Sequence, residues 1–270
     1  MAQFMSFCHT LAEHVSEDNK NIILSELSSY SRSINYKKYQ VLQASHVKFL
    51  KNEHVVMPCT FGNPYYLYLT HWREGDKQQN ACFFIEKKVK NGFKNPRIFR
   101  VRYRFDSSLF QGTLFDGELV RTNHDKWLFL ISDLSLYKGR STSPSIIKQY
   151  SILYQILGNL YTPDSEMEPC SLYVKKSFSY AKVRYLLHEF IPALPYPCKG
   201  LIFYSLQNQK RHHLPFLYLF PNRQDILRAN RLYHQEYREQ QQQELETQRS
   251  QPVNSTDLKK ETVDIPKKSV

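Results

Sequence analysis

Residues 113–140, TLFDGELVRTNHDKWLFLISDLSLYKGR, constrain the fold of this 270-residue chain more than any other stretch. They read as two apolar strands, residues 113–120 and 126–134, around a short polar connection. The first strand carries Asp116, Gly117 and Glu118. The second ends on Asp133 and leads into Tyr137, Lys138 and Gly139. Carboxylates inside apolar strands are costly to bury unless something pairs with them. The hairpin therefore marks either a ligand site or a set of structural ion pairs, and the rest of the chain is read around it.

Upstream, Phe4, Phe7, Cys8, Leu11 and Val15 recur at helical spacing. Ile22 to Leu27 predict a second short helix and residues 39–50 a third, so residues 1–54 form a helical segment packed on a sheet. From about Val55 the pattern becomes strand-like. Residues 64–69 and 81–86 are β-prone, separated by a polar loop at 73–80. Downstream, Ser143-Pro144 predicts a helix start, a capping hydroxyl with proline at the first helical position. Ile146, Tyr150, Leu153, Leu157 and Leu160 then give one apolar face. Strands are expected at 171–178, 200–204 and 215–220, and a helix at 179–190. The core domain spans 55–225 and is followed by a helix at 226–239. Residues 240–270, opening on four glutamines, are too polar to offset ordering entropy and are expected to be disordered. The resulting class is α+β, antiparallel sheets flanked by helices.

The formal charge is +12 and the pI about 9.4, a balance that favours polyanionic partners. Between Lys87 and Phe105 there are eight Lys or Arg and no acid. Arg100, Arg102 and Arg104 alternate with Phe99, Val101, Tyr103 and Phe105. In one strand this places three arginines on one face, either solvated or tracking phosphates through the planar guanidinium fork. The five cysteines form no CxxC pair; they predict buried thiols in a reducing compartment, without a zinc site. No apolar run is long enough to span a bilayer. The expectation is a soluble intracellular protein, cytoplasmic or nuclear, with no membrane partner.

Three stretches in order support a family resemblance. LFDGELV (114–120), FLISDLSLYKG (129–139) and GLIF (200–203) resemble the third motif, its adjoining strand and turn, and the fourth motif of the covalent nucleotidyltransferase superfamily. That superfamily includes mRNA capping guanylyltransferases and ATP-dependent DNA and RNA ligases. In character the chain is closest to its non-catalytic relative, the snurportin cap-binding domain. The resemblance covers roughly residues 55–225 and implies a nucleotidyltransferase-like, ligase-type core without a C-terminal oligonucleotide-binding barrel.

In the enzymes a lysine of a KxDG motif attacks the α-phosphate. Here Glu86-Lys87 resembles the start of that motif and Asn91-Gly92 its end, two residues too far apart. A register taken from Asn91-Gly92 would put Val89 at the nucleophile position. The acid that precedes the glycine of the fourth motif is replaced by Lys199, and the strand at 216–220 lacks the lysines of the fifth.

The resemblance with these departures implies a catalytically degenerate protein that binds a guanine nucleotide, an RNA 5′ cap or an RNA end. Tyr137 would stack on the base, with Asp116, Glu118, Asp133 and Lys138 around it. Lys90, Arg100, Arg102, Arg104, Lys210 and Arg211 would contact phosphates. One alternative is an active mRNA guanylyltransferase or RNA ligase using Lys87 or Lys88, with Glu118 helping to hold a divalent metal, Mg or Mn. Another is a protein-interaction scaffold, with a protein partner reached through the C-terminal tail. For Asp116 and Glu118 the plain structural reading is pairing with lysine or backbone amides; for Tyr137 it is a surface turn aromatic.

Overall fold

The structure, a computed structural model, describes residues 11–30, 39–51, 54–87, 96–143, 145–206 and 214–221. The predicted C-terminal helix and polar tail lie outside these residues, as do Lys88, Lys90, Lys210 and Arg211.

The described residues form an α+β fold of mostly antiparallel sheets. The larger sheet contains β1 (Ala12–His14), β4 (Asn63–Glu74), β5 (Lys77–Glu86), β6 (Ile98–Val101), β8 (Gln111–Arg121), β9 (Trp127–Tyr137) and β10 (Arg140–Ser141). Its order is β1-β6-β5-β4-β8-β9-β10, with β12 (Ser171–Val174) added parallel to β9. The second sheet runs β13 (Phe178–Ser179), β3 (His54–Thr60), β14 (Cys198–Ser205), β15 (Phe216–Leu219) and β2 (Gln40–Val41). A two-stranded ladder joins β7 (Arg104–Phe105) to β11 (Tyr161–Thr162).

The larger sheet is buried on both faces, which is why β4 reads as an unbroken apolar run. Tyr65, Leu67 and Leu69 point into a core shared with Tyr150, Leu153 and Ile156 of α2 (Ile146–Asn159) and Met57 of β3. Tyr66, Tyr68 and Trp72 point the other way, onto Ile23 and Leu27 of α1 (Glu17–Ser29). A third cluster, with Val56, Leu186, Leu201 and Phe203, covers the outer face of the second sheet. No helix among the described residues is long and apolar enough to cross a membrane.

The 113–134 hairpin forms as expected and extends at both ends. Four local expectations change. Ala12–His14, placed in a helix by its spacing, is a strand paired with β6 in the register Ala12↔Val101; the open edge of β6 needs hydrogen-bond partners that a helix cannot offer. The third predicted helix is a short strand followed by a 3-10 helix over Ala44–Lys51. The polar stretch 73–80 is strand almost throughout, because β4 and β5 continue to a tight turn at Gly75 and Asp76. The α2 cap is Ser145, two residues later than the spacing suggested, and its N–H donates to the Ser143 hydroxyl at 3.2 Å.

The arginine strand also breaks. β6 ends at Val101, Tyr103 turns inward to donate its hydroxyl to the Cys170 carbonyl at 2.9 Å, and β7 starts anew at Arg104. Arg100 is half-buried, Arg102 exposed, and Arg104 exposed with Asp164 at 3.6 Å. The three arginines therefore do not lie on one continuous strand, although Arg100 and Arg102 line the same cavity.

Candidate functional site

Lys87 follows the last residue of β5, and its N–H donates to the Pro64 carbonyl at 3.0 Å. That bond holds the residue against β4. Its side chain then crosses β4 to β8, where Nζ donates to Asp116 Oδ1 at 2.9 Å and Oδ2 at 2.8 Å. Both side chains are 8 % exposed. The ammonium lies 4.4 Å from the centroid of Tyr66, the residue paired with Asp116 in the β4/β8 register. A desolvated cation is well served by this arrangement, with a carboxylate accepting its hydrogens and an aromatic face beside it.

Two residues on, Glu118 points to the same face of β8. Its Oε1 accepts from Lys175 Nζ at 2.7 Å, and its Oε2 accepts from the Thr60 hydroxyl. Lys175 follows β12 and is 3 % exposed; its N–H donates to the Ile131 carbonyl at 2.7 Å. Thr60 ends β3 of the second sheet, so Glu118 bridges the two sheets. Gly117 lies between the two carboxylates because nothing larger fits. An added Cβ would come within 2.6 Å of the Leu130 carbonyl oxygen and 2.7 Å of Phe129 Cζ.

A third lysine joins the group. Lys199 of β14 has Nζ 5.9 Å from the Phe61 ring centroid. Its charge and that of Lys175 reach the buried Cys59 thiol, whose pKa is raised by burial first and then pulled back by Lys199, with Glu118 raising it and Lys175 lowering it. Burial also pushes the Cys198 thiol up to about 12, against the pull of Lys175. Three lysines, Lys87, Lys175 and Lys199, thus stand where the sheets join with three carboxylates, Asp116, Glu118 and Asp133, so that the formal charges balance.

Beside Glu118 a cavity of about 220 Å³ opens, lined by Phe61, Gly62, Asn63, Trp127 and Tyr196. The position of a Cβ on Gly62 would lie 2.8 Å from Glu118 Cβ, which fixes how closely the cavity approaches the ion pair. The Tyr196 phenol is raised by burial, with smaller contributions from Cys198 and Glu118.

Of the residues singled out from the sequence, the fold brings Lys87, Asp116 and Glu118 together. Asp133 pairs with Asp116 across β8 and β9, and its Oδ1 accepts the Leu134 N–H at 2.8 Å. Tyr137 and Lys138 lie elsewhere. Four residues further along β9, Tyr137 is roughly 13 Å from that pairing at about 3.3 Å per residue. It is half-buried against the main core, with Lys138 Nζ 5.4 Å from its ring centroid. Lys138 and Gly139 form the two-residue turn between β9 and β10, both with positive φ. Arg100 and Arg102 line a different cavity, about 570 Å³, at the β6 side of the sheet.

Sequence reasoning missed Thr60, Tyr66 and Lys175. Lys175 carried a usable signal: a lysine directly ending an apolar strand needs a partner when that strand is buried. The carboxylates leave little for a divalent metal. Both oxygens of Asp116 accept from Lys87, and Glu118 accepts from Lys175 and Thr60. Among the described residues no three His, Cys, Asp or Glu side chains gather into a group that could hold one. No protein-family model matches the chain, and no curated protein matches it.

Proposed function

We propose that the junction of the two sheets binds the phosphate-bearing end of a guanine nucleotide, an RNA cap or an RNA end, without covalent attachment. The observation that carries this reading is the Lys87 ammonium donating to both oxygens of a buried carboxylate. A nucleophilic lysine must present a free amine lone pair, whereas Lys87 Nζ is oriented as a donor. Lys175 and Lys199 supply further positive charge nearby. The resemblance of residues 114–120, 129–139 and 200–203 to nucleotidyltransferase motifs supplies the nucleotide, and the overall basic charge favours RNA.

A second reading, covalent nucleotidyl transfer, is favoured by one observation: Lys87 reaches Asp116. In that reaction Lys87 Nζ would bond to the α-phosphorus of GTP or ATP. The α–β phosphoanhydride bond would break, pyrophosphate would leave, and of the two protons the ammonium gives up one would pass to Asp116 and the other to the departing pyrophosphate.

Incubation with α-labelled GTP or ATP and Mg or Mn separates the two. The binding reading expects no label that survives denaturing electrophoresis and alkali on the protein under any nucleotide or metal condition, together with capped-RNA affinity that falls as salt rises. A label abolished by Lys87→Ala would replace it with the covalent mechanism.

A further inference from the structure

We infer that the cavity lined by Phe61, Trp127 and Tyr196 is a subsite for a planar heterocycle, the base of the nucleotide whose phosphates lie along Lys199. This rests on the nucleotide reading above and assigns the base a place. The three rings come from three separate segments: the β3–β4 link, the start of β9 and the loop before β14. Each is half-buried, so each joins the protein interior while reaching the cavity. At about 220 Å³ the space falls below the roughly 300–1,000 Å³ of sites that enclose drug-sized molecules. It suits one ring system and not the sugar and phosphates attached to it.

The charges say where those attachments go. Lys199 stands over the Phe61 ring, and the Glu118–Lys175 pair lies behind Gly62. An anionic tail leaving the cavity on that side passes from aromatic wall to ammonium within a few ångströms. On the far rim Arg121 is held by Asp125 at 3.2 Å, so its charge is already balanced. Tyr137 is a weaker platform, since it is distant from Asp116 and Lys138 lies beside its ring.

The chain has two tryptophans, which makes the subsite directly readable. Trp72 is buried in the core under α1, so a full-length Trp72→Phe protein reports from Trp127 alone. Its fluorescence is titrated with GTP, with a 7-methylguanosine cap analogue and with tripolyphosphate. Stacking should quench Trp127 for at least one guanine ligand and not for tripolyphosphate. Phe61→Ser and Tyr196→Ser should each weaken that guanine ligand roughly ten- to a hundredfold. Calorimetric tripolyphosphate affinity should stay within about twofold in both variants, which also shows that they fold, and Tyr137→Ala should change neither ligand. The subsite is overturned if a guanine ligand binds without quenching and with unaltered affinity in both variants. It is equally overturned if tripolyphosphate binds and neither guanine ligand binds more tightly. If none of the three binds, the nucleotide reading itself fails and takes the subsite with it.

Discussion

Replacing Asp116 by Asn should move stability and ligand affinity in opposite directions. The substitution keeps the side chain's shape and leaves one carbonyl oxygen for Lys87 Nζ, which now donates at 2.8 and 2.9 Å. Both partners are 8 % exposed, so solvent cannot replace what is lost. Breaking a buried pair from one side typically costs 3–5 kcal/mol, and the retained hydrogen bond puts this variant near about 3 kcal/mol. The same change raises the net charge of the site by one unit. One extra unit charge about 6 Å from a phosphate, at an effective dielectric near 20, is worth about 3 kcal/mol. Screening by salt and solvent reduces that to roughly a tenfold gain in affinity. Urea denaturation followed by far-UV dichroism measures the first effect, and calorimetric titration with tripolyphosphate in low salt the second. The double replacement Lys87→Met with Asp116→Leu should cost less than Asp116→Asn alone, since no charge is left buried without its partner. A stability loss under about 1 kcal/mol, or affinity that falls along with stability, would refute the buried pair as the organiser of an anion site.

Gly117→Ala should lower stability by about 2–3 kcal/mol, because its Cβ would meet the Leu130 carbonyl at 2.6 Å and Phe129 at 2.7 Å. Scanning calorimetry should show a melting temperature several degrees lower, and an unchanged value would mean that β8 and β9 do not pack this closely. Stability should also decline above about pH 9. Burial raises the Cys82 and Cys198 thiols from 9.0 to about 12, so the unfolded chain loses these protons first as pH rises. The stabilisation is complete below pH 9 and is lost between 9 and 12, at up to about 1.4 kcal/mol per pH unit for each thiol. Urea midpoints at pH 8 and pH 10 test this; Cys198→Ala should flatten the slope, and a flat wild-type profile contradicts it.

The parts of the fold visible in the sequence were those with a local cause. The 113–134 hairpin was legible because two apolar runs flank a polar turn, and α2 because Ile146, Tyr150, Leu153, Leu157 and Leu160 repeat at helical spacing, Tyr150 and Leu153 on its buried side. What stayed hidden depends on contacts far along the chain. Ala12–His14 is a strand only because β6 offers an edge. The arginine run breaks because the Tyr103 hydroxyl finds the Cys170 carbonyl 67 residues away. The carboxylates were legible as residues needing partners, but not the partners themselves: Lys87 is 29 residues from Asp116, and Lys175 is 57 from Glu118. No periodicity encodes such a pairing. The two-residue mismatch between Glu86-Lys87 and Asn91-Gly92 left two registers open in the sequence, and the bond from the Lys87 N–H to Pro64 is what sets Lys87 facing Asp116.

On the proposed reading the two ion pairs serve binding rather than stability. A buried pair is often no more stabilising than apolar residues of the same volume, and the surrounding strands already supply Phe115, Phe129, Leu119 and Ile131 as fully or almost fully buried core. An apolar junction would therefore hold the sheets together at least as well. What it could not offer is exchangeable polar contact. Glu118 accepts from Lys175 on the side of the larger sheet and from Thr60 at the end of β3. On the proposed reading a phosphate beside Lys199 leaves the Thr60 contact intact even where it draws on Lys175, so the sheets stay joined. Lys87 is different: Asp116 holds both sides of its ammonium in the protein interior. On the proposed reading the Lys87–Asp116 pair fixes the floor of the junction, the buried Lys175 stands behind Glu118, and Lys199 meets the anion at its mouth.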